Sequence, residues 1–244
     1  MRNVVRPVKQ AFSSHVSKIF KISEDVRTLH LSVNTTPSQP FKFLPGQSIN
    51  IINNNDSAGY SLISTPKDAI NNNIIKFAVR RTHHPVTRTI HDDLKVGDVV
   101  NAEGPEGDFY FVDGLSERII LIAGGIGITP LLSIMNYVYE ENIKVNVKFI
   151  HSVRFKKESE WFLQDITKFS LRDNFNPHIL VTDEQVNKES FINNRKLDQE
   201  SLREYCSNED IKRGLFYICG PLGMIDFVKI TLQSMGVSVE RIIH

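Results

Sequence analysis

Cysteine is scarce in this sequence: Cys206 and Cys219 are the only two in 244 residues. Two thiols cannot build a disulfide framework, a structural zinc site or a cysteine-held iron–sulfur cluster. Any metal redox centre working with the chain is therefore expected on another protein, and no metal site is expected here. A long apolar run is also missing, since nothing approaches the ~18 to 20 residues of a membrane span. Net charge is nearly absent, with 29 basic against 28 acidic residues and a formal balance of +1. That leaves no global field to draw nucleic acid or an anionic membrane. No acidic residue precedes Glu24, whereas Arg2, Arg6, Lys9, Lys18 and Lys21 are basic and Ser13, Ser14 and Ser17 lie among them. Residues 1–15 read either as a mitochondrial targeting segment or as a basic arm before the first strand, so the location is mitochondrial or cytoplasmic. No secretory apolar core and no internal repeat are present, and a monomer is expected.

What is present suits two domains of ordinary size. Hydrophobic residues make up 41% and charged ones 23%, ample for packed cores. From residue 16 to 113 the chain reads as short strands: VSKIFKI, VRTLHLSV, QSINII, YSLIST, IIKFAVR and DVVNAEG. Turn markers separate them at Pro37-Ser38, Pro45-Gly46, Asn53 to Asp56, Thr65-Pro66-Lys67-Asp68 and Val96-Gly97-Asp98. With one helix-like stretch from Thr87 to Leu94, this predicts a six-stranded antiparallel barrel. The rhythm changes after Asp113-Gly114-Leu115-Ser116. Over 114–244, IILIA, VNVKFIHSV, HILVT and LFYICG alternate with helical stretches at Pro130 to Glu141, Glu158 to Ser170, Asp198 to Cys206 and Pro221 to Met235. Strand–helix alternation predicts a Rossmann-like parallel sheet covered on both faces.

Several residues carry chemistry in this frame. IILIA runs into Gly124, Gly125 and Gly127, which free the backbone to turn sharply and approach a ligand. Thr129 is placed to cap the next helix and Pro130 to occupy its first turn, and such a helix start suits a pyrophosphate. The next strand ends His151-Ser152-Val153-Arg154, with Lys156 and Lys157 following and no acid until Glu158. An arginine there leans towards the extra phosphate of NADP. Cys219, Gly220 and Pro221 fall at the carboxyl edge of the last strand, where ligands bind in open α/β sheets. In the first half, Tyr60 and Ser61 suit a planar heterocycle with polar edge atoms. Arg80, Arg81 and the helix start at Thr87 offer a second anion site. His83 and His84 are adjacent and read as a loop, and His91 as a surface or capping residue.

The ordered motifs LPGQ, GYSLISTP, VRRTHHP, GPEGDF, AGGIGITPLLSI and YICGP resemble the ferredoxin–NADP reductase superfamily. More narrowly, the chain is similar to the oxidoreductase NAD-binding domain-containing protein 1 group. The resemblance runs from about Val16 to His244. It implies FAD, with FMN the less expected alternative, and NADPH or NADH as hydride donor. Tyr60 would then stack on the flavin, Ser61 would hydrogen-bond near its reactive N5, and Leu62 would contact it by backbone. Arg80 and Arg81 would meet the ribityl or diphosphate part and Thr87 the diphosphate. Gly124, Gly125, Gly127 and Thr129, with Ser152 and Arg154, would line the pyridine nucleotide site. Cys219, Gly220 and Pro221 would close over the nicotinamide, so Ser61 and Cys219 are the residues nearest the chemistry. The implied activity is hydride transfer to flavin and electron passage to an acceptor such as an iron–sulfur or haem protein, a free flavin or a quinone. A free-flavin reductase and a nucleotide-binding protein without turnover are the alternatives. Two departures stand out. Ala58 occupies the place of an arginine that pairs with the flavin diphosphate, from which weaker flavin binding is expected. The sequence ends ERIIH, where relatives add an aromatic over the ring, from which a more open flavin is expected.

Overall fold

The computed structural model describes residues 5–33, 40–187 and 189–244. Arg2 of the basic segment and the expected turn at Pro37-Ser38 lie outside the described residues. The chain divides into two compact units, Met1–Val112 with Leu132–Tyr137, and Asp113–Leu131 with Val138–His244.

The first unit holds six strands: β1 (Gln10–Lys21), β2 (Val26–Val33), β3 (Ser48–Asn53), β4 (Asp56–Ser61), β5 (Ile74–Arg80) and β6 (Val99–Glu106). They form one antiparallel sheet in the order β4-β3-β6-β1-β2-β5. A bridge from Leu62 to Phe77 draws the β4 end towards β5 and curls the sheet. Branched residues alternate along these strands, so one face is apolar. Val16, Leu29, Leu31, Ile49, Leu62 and Phe77 are fully buried on it. Each such side chain contributes about 1.5–3 kcal/mol on leaving water.

Three details differ from the sequence pattern. β1 starts before residue 16, because Gln10 to His15 pair with Gly104 to Val99 on β6. Residues 10–15 of the expected basic arm are therefore part of a strand of the barrel. β4 begins at Asp56 rather than at Tyr60. The marker Thr65-Pro66-Lys67-Asp68 opens a helix, α1 (Pro66–Asn72), whose cap is the Thr65 hydroxyl accepting from the Asp68 N–H. The expected helix-like stretch is α2 (Pro85–Asp92), with the His84 ring Nδ1 accepting from the Val86 N–H as its cap.

The second unit is built on β7 (Arg118–Gly124), β8 (Asn146–Val153), β9 (Phe175–Val181), β10 (Ile192–Asn194), β11 (Leu215–Cys219) and β12 (Ile242–Ile243). They make a parallel sheet in the order β10-β9-β8-β7-β11-β12. Between or beyond the strands lie α3 (Ile128–Glu140), α4 (Lys156–Ser159), α5 (Leu163–Ser170), α6 (Gln199–Tyr205), α7 (Asn208–Arg213) and α8 (Leu222–Ser234). β7 carries no polar alternation, and Ile119 to Ala123 are all buried, as a central strand requires. From β7 the chain winds one way to β10, then returns to the other flank as β11. That reversal opens a crevice at the carboxyl ends of β7 and β11. α7, β10 and β12 were not in the sequence pattern. α7 is held by Asp210, nearly buried, which takes Lys148 Nζ at 2.8 Å and Arg118 Nη1 at 3.2 Å.

Candidate functional site

In the first unit the expected residues collect around the end of β4, the end of β5 and the start of α2. Tyr60 is half-buried, with one ring face stacked on Phe77 (centroids 5.4 Å apart, 28° between planes). Its hydroxyl is buried without a hydrogen-bond partner. Burial pushes the phenol up to about 12, so it stays neutral and able to donate. A buried orphan hydroxyl costs about 1–3 kcal/mol, which a ligand atom would recover. Ser61 ends the strand beside it, partly exposed. Leu62 has less to offer than expected, because its side chain is fully buried and its N–H donates to the Gln47 carbonyl at 3.0 Å.

The expected anion-binding groups are largely committed elsewhere. Arg80 Nε donates to Asp25 at 2.8 Å, and Arg81 forms a two-pronged pair with Asp92 at 2.6 and 2.9 Å. The buried Thr87 hydroxyl donates to the His84 carbonyl at 2.9 Å and accepts from the Thr82 N–H at 3.1 Å. It braces the entry to α2 instead of facing outward. His91, expected at the surface, is buried with its Nε2 against the Val79 carbonyl at 3.1 Å. Ala58 packs against the barrel core. The Tyr60 phenol is thus left without a protein partner beside a stacked ring, as a planar heterocycle with polar edge atoms would need, whereas the groups expected at a diphosphate are engaged with the protein itself.

In the second unit the glycine turn follows β7 directly. Gly125 has φ +51°, a left-handed conformation that a side chain resists. Gly124 and Gly127 serve another purpose. A Cβ on Gly127 would lie 2.3 Å from the Cys219 carbonyl oxygen, and one on Gly124 would lie 2.5 Å from Met224 Sδ and 2.8 Å from Pro221 Cδ. A Cβ on Gly220 would likewise lie 2.9 Å from the Gly124 nitrogen. These absent side chains let the turns after β7 and β11 close on one another. Thr129 does not cap the helix, because α3 already starts at Ile128; its hydroxyl donates to the Ile126 carbonyl at 3.1 Å. Pro130 does sit in the first turn.

Around this turn stand residues from β8, β9 and β11. Ser152 is level with Gly124 in the β7–β8 register and partly exposed. Arg154 Nε donates to Asp183 at 2.8 Å, and its guanidinium lies 5.2 Å from the centre of the Phe155 ring. An acid therefore does occupy this edge, supplied by the residue after β9 and Thr182 rather than by β8. Cys219 is mostly buried, and that burial pushes its thiol up to about 11, so it is neutral and not a nucleophile. Two residues of this region lacked any sequence signal. They are Asp183 and His151, whose ring is fully buried beneath the turn.

Comparison with known proteins agrees with this division. Residues 13–111 match the oxidoreductase FAD-binding domain and residues 121–229 the oxidoreductase NAD-binding domain. The human oxidoreductase NAD-binding domain-containing protein 1 is 30% identical over 243 residues, covering 90% of this chain and 74% of that protein. The glycine betaine monooxygenase reductase subunit of Chromohalobacter salexigens is 27% identical over 230 residues. The match spans 92% of this chain and 61% of that subunit. Among solved structures, the flavohem-like FAD/NAD-binding domain of nitric oxide dioxygenase from Vibrio cholerae has the same fold. It superposes with a TM-score of 0.78 at 24% identity, over 95% of this chain and 96% of that one. Barrel, nucleotide sheet and relatives together make this chain a member of the ferredoxin reductase-like oxidoreductases, which join an FAD-binding domain to an NAD-binding domain.

Proposed function

We propose that the chain is the reductase member of an electron-transfer pair, taking hydride from a nicotinamide dinucleotide and passing electrons to an acceptor on a separate protein. FAD, when bound, would supply the two-electron and one-electron redox chemistry that links a nicotinamide donor to an acceptor. The chain's own residues bind, orient and exclude water. Tyr60 offers a neutral phenol and Ser61 a hydroxyl to the flavin. The first turn at Gly125 and Ile126 presents N–H groups that precede any intrahelical acceptor, suited to a pyrophosphate. Cys219 forms a neutral wall for the nicotinamide. The observation that carries this reading is the closure of the β7 and β11 turns through Gly127, in a chain whose other half is an FAD-binding domain.

The Arg154–Asp183 pair bears on the choice of nucleotide. The guanidinium that would receive a 2′-phosphate already holds a carboxylate, and a second anion there would meet Asp183. NADH is therefore the proposed donor, against the lean of the sequence towards NADPH. For the acceptor, the printed name of the Chromohalobacter relative describes a monooxygenase reductase. An iron–sulfur or haem protein is the proposed class for this chain.

A second reading, reduction of free flavin as a dissociable substrate, is favoured by one observation. Ala58 replaces the expected arginine while Arg80 and Arg81 are paired with Asp25 and Asp92. The absorbance spectrum of the purified protein separates the readings. A bound flavin bleached by NADH supports the first, and colourless protein that oxidises NADH only with added flavin supports the second. Binding of neither cofactor would sink both and leave a protein without turnover.

A further inference from the structure

His151 sits on β8 with its ring fully buried, directly beneath the glycine turn. Its Nε2 lies 2.9 Å from the Gly125 carbonyl oxygen. A carbonyl only accepts, so Nε2 carries the proton and Nδ1 is a bare lone pair. Nδ1 is buried with no partner. Glu158, at the head of α4 beyond the same strand, already accepts from the Arg154 and Phe155 N–H groups. The fold thus keeps a buried imidazole with one nitrogen unsatisfied, at a cost that packing alone does not explain, since an apolar side chain of similar size would avoid it. What the imidazole supplies is a single inward hydrogen bond to the turn.

That bond has a geometric consequence. The C=O of Gly125 and the N–H of Ile126 belong to one planar trans peptide and point in opposite directions. Gly125 O also accepts from the Ile128 N–H, so both its lone pairs are engaged. Held from below by His151, the carbonyl faces inward and the Ile126 N–H is turned outward, where it lacks an intrahelical acceptor. Rotating this peptide turns ψ of Gly125 and φ of Ile126. Glycine does not resist the first, so the orientation rests on what holds the Gly125 carbonyl, which is the Ile128 N–H within the turn and the His151 ring from outside it.

We propose that His151 is a positioning residue for the dinucleotide, holding the Gly125–Ile126 peptide so that its N–H faces the pyrophosphate. The inference rests on the nucleotide-binding reading above and assigns to one buried ring the orientation of the donor that reading uses.

The test compares His151→Leu with His151→Gln in the flavin-loaded protein, using ADP-ribose as the probe and titration calorimetry as the readout. The two replacements have similar volume, but only glutamine keeps an N–H at the reach of Nε2. A packing role favours leucine, the better buried residue. The positioning role predicts the reverse. ADP-ribose binding falls about tenfold in His151→Leu, the scale of one lost hydrogen bond to a charged group, and returns to within about threefold in His151→Gln. In amide NMR spectra the Ile126 resonance moves in the leucine variant and stays near its original place in the glutamine variant. Leucine binding as tightly as the unmodified protein, or glutamine no better than leucine, overturns the proposal. Should the leucine variant not fold, 15N spectra of the unmodified ring decide: protonated Nε2 supports the proposal and protonated Nδ1 overturns it. If the unmodified protein itself ignores ADP-ribose, the nucleotide reading fails and this inference fails with it.

Discussion

A methyl group added at Gly127 would sit 2.3 Å from the Cys219 carbonyl oxygen, 2.5 Å from its carbon and 2.7 Å from the Gly220 nitrogen. All three are backbone atoms, so no side chain can swing aside. Restoring a normal contact of about 3.5 Å requires the two turns to part by roughly 1 Å. Overpacking of this kind costs about 1–3 kcal/mol, and the rigid neighbours put Gly127→Ala in the upper half of that range. Trp161, the only tryptophan, is 2% exposed and lies in the second unit, so its fluorescence reports the unfolding of that unit alone. Urea unfolding of Gly127→Ala followed by this signal should show a loss of about 2–3 kcal/mol, with flavin absorbance unchanged under native conditions. ADP-ribose affinity should fall by an order of magnitude or more, since a misplacement of about 1 Å is costly in an oriented site. Gly223→Ala on α8 is the control, because nothing lies within 4 Å of its added methyl. It should be neutral or stabilising by up to about 1 kcal/mol. If Gly127→Ala unfolds at the same urea concentration as Gly223→Ala, the argument from backbone contact is wrong.

Ala58→Arg should tighten flavin binding about tenfold or more, the scale of an arginine–phosphate contact of about 1.5–3 kcal/mol; equilibrium dialysis showing no gain would remove the diphosphate from that neighbourhood. Asp183→Asn frees Arg154 and should shift the NADH-to-NADPH preference several-fold towards NADPH, read as the ratio of kcat/KM values, and an unmoved ratio would disprove the pairing argument. Burial holds His151 down to about 4. The unfolded chain takes a proton there below about pH 6.5 while the folded unit refuses it until about pH 4, so stability falls as pH drops through that window, by up to about 3 kcal/mol. Burial lowers His178 to about 4 as well and adds in the same direction. Trp161-monitored unfolding should therefore weaken from pH 6.5 to 4, and less so in His151→Gln. Cys219, with its thiol up at about 11, should react slowly with iodoacetamide at pH 8, and fast alkylation would contradict its burial.

The two-part plan was legible because periodicity is local. Short alternating strands before Asp113 and strand–helix alternation after it are properties of neighbouring residues, and they matched β2, β5, β7, β8 and β11 closely. Capping chemistry was legible but misread at Thr65-Pro66, which opens α1, and at Thr129, which lies inside α3 because the helix starts at Ile128. Charged residues were visible one by one while their partners were not. Arg80, Arg81 and Arg154 look like free cations in the sequence, and Asp25, Asp92 and Asp183 neutralise them only once β2, β5, α2, β8 and β9 are folded.

By itself the sequence determined the family, the order of the two domains and the place of the glycine turn, since each depends on residue types at fixed short spacings. Tertiary structure alone decided why each glycine is there. Gly125 answers to a backbone angle, whereas Gly127 answers to Cys219 at the end of β11 and Gly124 to Pro221 and Met224 at the start of α8, all far along the chain. It also decided what His151 touches, because a histidine on a buried strand carries no signal until the turn above it closes over its ring. Contacts between residues far apart in the chain have no local pattern, and the orientation of the glycine turn rests on such contacts.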